Sequence, residues 1–264
     1  MGILNLTPDS FYDGGEYMDS SSIDNRLTTM VNSGADIIDV GAESSRPGSG
    51  SITVDEEFER LSMIIPHICN YKGTVFSIDT QKPEIADYAM NNGFSIVNDI
   101  TGGSELMYET VDKHDSEIVI MHMQGIPETM QINPDYGDII EDINQYFEHK
   151  IAIAESVGLS RSSIILDPGI GFGKSLNDNY KIINNIREFK HFDLPIMIGC
   201  SRKSFLQFHD DNAENRLTGS IVSLIMSVSN GVNLVRVHDI EETIKAIEIY
   251  NRFELNRSEV INFD

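Results

Sequence analysis

The sequence has few cysteines, few basic residues and no long apolar run. Its two cysteines, Cys69 and Cys200, lie far apart among 264 residues, which indicates reduced, buried thiols rather than a disulfide framework. No stretch approaches the roughly 18 apolar residues of a membrane span. The N-terminus has no basic segment before an apolar core, so we expect no secretory signal. These absences predict a cytoplasmic protein.

Basic residues are scarce relative to acidic ones. There are 19 lysines and arginines against 42 aspartates and glutamates, for a net charge of −23. A chain this acidic repels a phosphate backbone or an anionic membrane surface, so we expect neither nucleic acid nor membrane as a partner. An anionic substrate would need a local cluster of cations to overcome the overall field.

Short β-branched runs alternate with helical stretches along the whole chain. Strands are predicted at 1–5, 36–40, 74–79, 95–99, 117–122, 164–167, 195–199 and 234–237. Helices are predicted at 22–33, 54–69, 83–91, 105–113, 139–157, 178–189, 213–230 and 240–253. This alternation predicts a parallel α/β sheet. Eight units that close on themselves predict one TIM (β/α)8 barrel over 1–264, with an open doubly wound sheet as the alternative.

Several helix ends carry recognisable signals. Thr53 with Glu56 forms a predicted capping box, in which each side chain bonds the backbone of the other residue. Ser22 is the predicted cap of the first helix. Gly158 and Gly231 follow the helices at 139–157 and 213–230, where glycine commonly ends a helix.

The stretch Ile164–Lys174 combines a buried strand, a carboxylate and a glycine-rich loop. Asp167 ends the apolar run, and glycines 169, 171 and 173 follow Pro168. The loop is not a Walker A motif, because Pro168 stands where the first glycine belongs, and its Gly-x-Gly-x-Gly spacing is not the dinucleotide fingerprint. From these residues alone, a tight turn capped by Asp167 and a ligand site are both open.

Polar residues follow the end of every predicted strand. They are Asn5, Glu43 to Arg46, Asp79, Asn98 with Asp99, His122, Asp167, Ser201 to Lys203, and Arg236 with His238. Any one of them is commonly a cap or a loop hydrogen bond. The active site of a barrel lies where its strands end, so together these residues predict a site at one rim.

The motifs at these strand ends resemble dihydropteroate synthases in content and order. They are Met1 to Phe11, Asp39 to Gly48, Ser77 to Thr80, Val97 to Ile100, Met121 to Gly125, Asp167 to Lys174, Ser201 to Ser204 and Arg236 to Asp239. The resemblance extends from Met1 to about Ile240. It implies a TIM barrel that joins 6-hydroxymethyl-7,8-dihydropterin diphosphate to 4-aminobenzoate and releases pyrophosphate.

The resemblance also implies a role for each matching residue. Pterin-binding roles are implied for Asp79, Asn98, Asp167 and Lys203, with Met121 counted among the substrate-binding residues. Roles at the pyrophosphate are implied for Arg46, Arg236 and His238, and for Asn5 together with Mg²⁺. An aminobenzoate pocket is implied for Ser45, Pro47, Phe172, Lys203 and Ser204. Asp79, Asp167, Lys203, Arg236 and His238 are the implied catalytic residues, and a homodimer is the implied assembly.

Two other functions remain open from the sequence. A methyltetrahydrofolate methyltransferase would share the pterin-binding carboxylates and asparagine, but it needs neither the first two signatures nor Ser-Arg-Lys. A catalytically silent pterin binder is the second alternative, and the intact cationic residues argue against it. Ser45 departs from the family, which usually has threonine there. The segments 10–22 and 44–53 are rich in glycine, serine or aspartate and are predicted to be mobile loops that close over the site.

Overall fold

The computed structural model describes residues 1–6, 20–43, 50–127, 129–132, 134–207 and 213–257. The strands within these residues are β1 Gly2–Asn5, β2 Ile37–Gly41, β3 Val75–Asp79, β4 Ile96–Asp99, β5 Glu117–Met121, β6 Ile164–Asp167, β7 Met197–Ile198 and β8 Leu234–Val235. The α-helices are α1 Ser20–Asn32, α2 Val54–Ser62, α3 Ile65–Ile68, α4 Pro83–Asn91, α5 Glu105–Lys113, α6 Ile139–Ser156, α7 Leu176–Asn184, α8 Leu217–Ser229 and α9 Ile240–Arg257. Short 3-10 helices lie at 161–163, 186–192, 204–206 and 213–216.

The strands form a closed parallel barrel. β1 to β6 pair in sequence order, and β7 pairs with β8. The Leu166 amide donates to Pro195 O at 2.9 Å, which joins β6 to the segment that leads into β7. The Ile3 amide donates to Val237 O at 3.0 Å, which joins β8 back to β1. The predicted TIM barrel is therefore confirmed, and the open doubly wound alternative is wrong.

The hydrophobic core has two parts. The larger part lies between the barrel and the surrounding helices, where Ile38, Ile118 and Leu166 are fully buried. A smaller cluster fills the barrel interior near the start of the strands and contains Met1, Ile96, Val119, Ile165 and Met197, with Ile37 and Leu234 packed against it. Side chains alternate between the two faces of a strand, so the smaller cluster forms the floor on which the inner rim residues rest.

Most helix boundaries agree with the sequence prediction, and the differences have local causes. The capping box of Thr53 and Glu56 is present. The helix predicted at 54–69 is instead two helices, and Pro66, which has no amide hydrogen, lies at the start of the second. The helix α7 begins two residues before the predicted start because Ser175 accepts from the Asp178 amide at 3.2 Å.

Two further predicted starts are wrong. The first helix begins at Ser20, so Ser22 lies inside it rather than capping it. The helix α8 begins at Leu217, after a 3-10 turn. The predicted stops are correct, because Gly158 and Gly231 adopt φ values of 103° and 97°, a region that glycine enters without strain. None of the described helices is long and apolar enough to cross a membrane.

Candidate active site

Several polar residues of the site lie on the inner face of the barrel. Each of these is two residues further along the chain than an apolar residue in or against the smaller core cluster. Two residues after Ile37, Ile96 and Ile165 come Asp39, Asn98 and Asp167. Because side chains on one face recur every second residue, each polar group lies directly above an apolar one. The same step leads from Leu234 to Arg236 and from Val119 to Met121.

Strand register places the ends of the first four strands in one row. Asn5 is opposite Gly41, Gly41 opposite Asp79, and Asp79 opposite Asn98. Gly41 leaves room in this row for little more than a methyl group, since a Cβ there would be in ordinary van der Waals contact, 3.4 Å from Asn5 Oδ1 and 3.6 Å from the Asp79 side chain. The predicted convergence of Asn5, Asp79 and Asn98 is therefore what the structure shows.

Asp39 organises the polar groups at the centre of the barrel. Its fully buried carboxylate accepts from Ser77 Oγ at 2.6 Å, Asn98 Nδ2 at 3.0 Å and Arg236 Nε at 2.6 Å. A buried carboxylate is stable only with such compensating partners. The sequence interpretation gave Asp39 no role, although its position two residues after Ile37 was a usable signal.

Arg236 lies between two carboxylates. Besides its bond to Asp39, it donates from Nη2 to Asp79 Oδ2 at 2.7 Å. Burial raises the pKa of Asp79 to about 7; Arg236 opposes this rise, and the neighbouring Asp39 charge adds to it. One guanidinium thus stabilises two nearby carboxylates.

Asp167 ends β6 and supports the glycine-rich loop that follows. Its Oδ1 accepts from the Gly169 amide at 2.7 Å. Burial raises the pKa of this carboxyl, while Lys203 opposes the rise. Gly169 has φ 68°, and a Cβ there would lie 2.0 Å from His122 O. The turn interpretation of the motif is therefore confirmed, since Asp167 orders the turn, and the ligand site stays a prediction.

Lys203 reaches over the glycine-rich loop. Its ammonium donates to Ile170 O and lies 4.6 Å from the centre of the Phe172 ring. A Cβ on Gly171 would lie 3.1 Å from Lys203 Cδ. Burial lowers the pKa of Lys203 to about 8, and the charge of Asp167 opposes this decrease. The predicted neighbours Phe172, Lys203 and Asp167 therefore lie together.

His238, Ser204 and Met121 complete the set of predicted site residues that the structure describes. His238 Nδ1 lies 3.0 Å from Ser201 Oγ, and the His238 amide donates to the same oxygen at 3.2 Å. Ser204 is exposed at the start of a 3-10 turn. Met121 is only 3% exposed, and its carbonyl accepts from Tyr146 Oη at 3.0 Å. Ser45, Arg46 and Pro47, and most of the predicted mobile loops, lie outside the described residues.

Lys174 is a second group whose role the sequence interpretation missed. Its buried ammonium donates to Phe172 O at 2.9 Å and His122 O at 3.2 Å, and lies 3.0 Å from His122 Nδ1. Burial lowers the pKa of Lys174 to about 7, and burial with the Lys174 charge lowers that of His122 to about 3. Lys174 therefore joins the loops after β5 and β6 and is directed away from solvent, unlike a phosphate-binding lysine.

A metal ion has few protein ligands at this rim. Among the described residues, no group of three or more His, Cys, Asp or Glu could hold one. Asn5 offers one amide oxygen beside the space left by Gly41. Mg²⁺ is commonly bound by one or two protein oxygens together with substrate phosphates, so the residues fit this ion only in combination with a diphosphate.

Known proteins share both the sequence and this architecture. A family model described as "Pterin binding enzyme" matches residues 1–238. The dihydropteroate synthase of Escherichia coli K12 is 40% identical over 94% of this chain and 89% of its own length. The chain belongs to the dihydropteroate synthase family. It is thus a transferase of folate biosynthesis.

Solved structures of dihydropteroate synthases match the whole barrel. The Yersinia pestis enzyme in a sulfonamide drug complex has a TM-score of 0.90 and 35% identity, covering 96% of this chain and 93% of its own. The Clostridium difficile enzyme, crystallised in the presence of pteroic acid, has a TM-score of 0.87 and 36% identity, covering 96% and 95%. These relatives favour the synthase over the methyltransferase alternative. The general description of the family model would not by itself separate these two functions.

Proposed function

We propose that this chain joins 6-hydroxymethyl-7,8-dihydropterin diphosphate to 4-aminobenzoate through the residues at the barrel rim. The observation that carries the proposal is the meeting of three acidic or amide side chains, Asp79, Asn98 and Asp167, with cations from β7 and β8 inside one barrel mouth. A pterin edge presents N–H donors and ring acceptors. Carboxylates accept from the donors, and the asparagine amide can do both.

The proposed reaction needs no protein nucleophile. The aromatic amine attacks the pterin methylene carbon, the C–N bond forms, the C–O bond to diphosphate breaks, and the amine releases a proton to water. Positive charge develops on the methylene and spreads into the pterin ring. Asp167, buried beside that ring, stabilises this charge as it develops.

The leaving diphosphate is assigned to the cations at the rim. Nε and Nη2 of Arg236 already donate to carboxylates, so Nη1 is the group that we assign to a diphosphate oxygen. His238 and Arg46 complete this set, and Lys203 serves the pterin. In a chain of net charge −23, an anionic leaving group requires nearby cations that offset the overall negative field.

The aminobenzoate is assigned to the outer side of the same mouth. Phe172 and Lys203 already lie against each other, and the ring offers an apolar wall for a benzene ring. Ser204 is exposed next to Lys203 and can donate to a carboxylate. Ser45 and Pro47 are assigned to the facing wall from the sequence motif.

The proposal includes Mg²⁺ as a cofactor, with Asn5 as its protein ligand. When bound with diphosphate, the ion would neutralise charge on the leaving oxygens. Asn5 itself orients one amide oxygen toward the space beside Gly41. This assignment rests on the donor type and on the motif.

The assembly is proposed to be a cytoplasmic homodimer. Val222 and Met226 lie one turn apart on α8 and are 59% and 45% exposed, so they share one helix face. Apolar side chains on a common face are typical of a protein interface. Cys69 is a free thiol that is exposed rather than buried as predicted, whereas Cys200 is buried; an exposed free thiol persists in a reducing compartment.

Pyrophosphate release tests the function. We expect release only when dihydropterin diphosphate, 4-aminobenzoate and Mg²⁺ are all present, with little release when any one is omitted. His238→Ala should lower turnover more than it weakens calorimetric binding of the unphosphorylated dihydropterin, because the imidazole is assigned to the leaving group. Folded protein that binds the dihydropterin but releases no pyrophosphate would instead be a silent pterin binder.

A further inference from the structure

Arg202 has an unusual backbone conformation for its place in the barrel. The described non-glycine residues with positive φ are Asp115, Asp193 and Arg202. The two aspartates precede β5 and β7, at the end of the barrel away from the site, and aspartate tolerates the left-handed region well. Arg202, at φ 58°, lies in the turn after β7 at the rim of the site. A strained residue at such a position needs contacts that hold it there.

Contacts from two neighbouring segments of the described chain hold Arg202. Its guanidinium forms a bidentate pair with Asp239, with Nε 3.0 Å from Oδ2 and Nη2 2.5 Å from Oδ1. Its amide donates to Ser220 Oγ at 2.8 Å, and its carbonyl accepts from Arg216 Nη1 at 3.1 Å. The fork of an arginine matched to a carboxylate fixes orientation as well as distance. The turn after β7 is thereby held against the segments before and within α8 and the segment after β8.

Each residue of the Arg202–Asp239 ion pair is adjacent in sequence to a residue of the candidate site. Arg202 immediately precedes Lys203, which lies over Phe172, and Asp239 immediately follows His238. A second contact, from His238 to Ser201, runs beside the ion pair. The spacing between the Lys203 and His238 segments is therefore set by two adjacent side-chain contacts between the same two loops.

We propose that Arg202 and Asp239 are positioning residues for the transfer reaction, which set Lys203 and His238 relative to each other. The proposal rests on the proposed function, because it assigns those two side chains to opposite ends of one substrate. The guanidinium itself faces Asp239, so it acts through its neighbours. Loss of the pair should shift the imidazole relative to the ammonium and leave the pterin-binding groups on β3, β4 and β6 in place.

Three single variants test the pair, and a fourth is the control. Asp239→Asn removes the charge, and Arg202→Lys keeps the charge but removes the fork. Arg202→Gly removes the side chain and also relieves the positive φ, so it guards against a variant that fails only because it unfolds. The matched control is Glu241→Gln, which breaks an exposed ion pair with Lys245, 2.5 Å long, on the adjacent first turn of α9.

The expected result is a loss of turnover without a loss of pterin affinity. For Arg202→Gly and Asp239→Asn we expect kcat to fall about tenfold, with calorimetric affinity for the unphosphorylated dihydropterin within twofold of wild type. Arg202→Lys should lie between these variants and wild type, and Glu241→Gln should match wild type. The double variant Arg202→Gly, Asp239→Asn should lose little more than either single variant, because the two residues act as one unit.

A spectroscopic readout separates positioning from simple stability. The NMR signal of the His238 ring, assigned with a His238→Gln variant, should shift in Asp239→Asn and stay unchanged in Glu241→Gln. Folded variants that keep wild-type kcat, or that lose kcat and dihydropterin affinity in equal measure, would overturn the proposal. Wild-type protein without turnover would contradict the proposed function first, and the positioning role in catalysis would be rejected with it.

Discussion

Arg236, which follows β8, and Asp39 on β2 are 197 positions apart in the sequence and meet inside the barrel, with Nε of the guanidinium 2.6 Å from Oδ2 of the carboxylate. The Asp39 side chain is completely buried, and the same guanidinium also reaches Asp79 at 2.7 Å. An ion pair across the barrel interior fixes where the last strand lies relative to the second and third. It also leaves Nη1 as the part of the Arg236 guanidinium that can bind a ligand.

The variant Asp39→Asn is expected to destabilise the protein and weaken pterin binding. It leaves Arg236 with one carboxylate instead of two, and it alters the oxygen that Asn98 Nδ2 donates to. Removing one partner of a buried ion pair costs about 3 kcal/mol, which urea denaturation would detect. Asp36→Asn, at an exposed position just before β2, is the control. Equal unfolding midpoints for the two variants would contradict the central role of Asp39.

The variant Asp167→Asn is expected to weaken dihydropterin binding by roughly 1.5–3 kcal/mol, the worth of a hydrogen bond to a charged group. The amide oxygen can still accept from the Gly169 amide, so the loop should keep its shape. Titration calorimetry with the unphosphorylated dihydropterin measures the loss. Unchanged affinity would refute the assignment of Asp167 to the pterin.

The variant Lys82→Met is expected to destabilise the segment that follows β2. Lys82 Nζ lies 2.6 Å from Glu43 and 2.5 Å from the completely buried Glu57. Glu43 also accepts from the Ile52 amide at 2.9 Å, so the lysine holds a carboxylate that itself fixes the residues before α2. Without the lysine, Glu57 becomes an unpaired buried charge, at a cost of about 3 kcal/mol.

Thermal unfolding and urea titration measure this loss for Lys82→Met. The double variant Lys82→Met, Glu57→Gln is the informative comparison, because it removes the buried charge along with its partner and should recover part of the stability. A double variant less stable than the single one would show that the charge pair is not the source of the effect.

The sequence predicted the barrel and most of the rim, but not the contacts between distant strands. The end of each strand could be read from local pattern, so Asp79, Asn98 and Asp167 were found. The partners of Arg236 depend on how the barrel closes and on strand register, which bring β8 beside β1 and across from β2. Local periodicity indicates which residues point inward, because they recur every second residue along a strand. It carries no information about which inward-pointing residues face each other across the barrel interior.

Some predicted helix boundaries were also wrong, and their causes are local. The split after α2 depends on Pro66 and could have been read from the sequence, since proline within a helical pattern usually marks a break. The start of α7 depends on a capping box that the sequence analysis missed, in which Ser175 is the cap and Asp178 returns the bond. The glycines before Lys174 prompted a comparison with a phosphate-binding loop. The direction of the Lys174 side chain is instead set by His122, 52 residues earlier.

The lowered pKa of Lys174 predicts that the free energy of unfolding depends on pH. Its pKa is lowered to about 7 by burial, whereas an unfolded lysine keeps an ordinary value near 10.4. Below pH 7 the folded and unfolded states both hold the proton, so this group adds no pH dependence. Between about pH 7 and 10 the unfolded state binds more protons than the folded state, so the free energy of unfolding rises with pH.

The variant Lys174→Met removes this contribution. Wild type should therefore gain about 2 kcal/mol of stability relative to the variant between pH 7 and pH 9, as measured by urea denaturation at each pH. Lys245→Met is the control, because Lys245 lies exposed on α9 and its pKa is raised by Glu241, which keeps its titration above this range. His122 titrates far below the range, since its pKa is lowered to about 3. If the difference between wild type and Lys174→Met stays constant from pH 7 to 9, Lys174 holds its proton in the folded state, and its three contacts are those of a permanently charged ammonium.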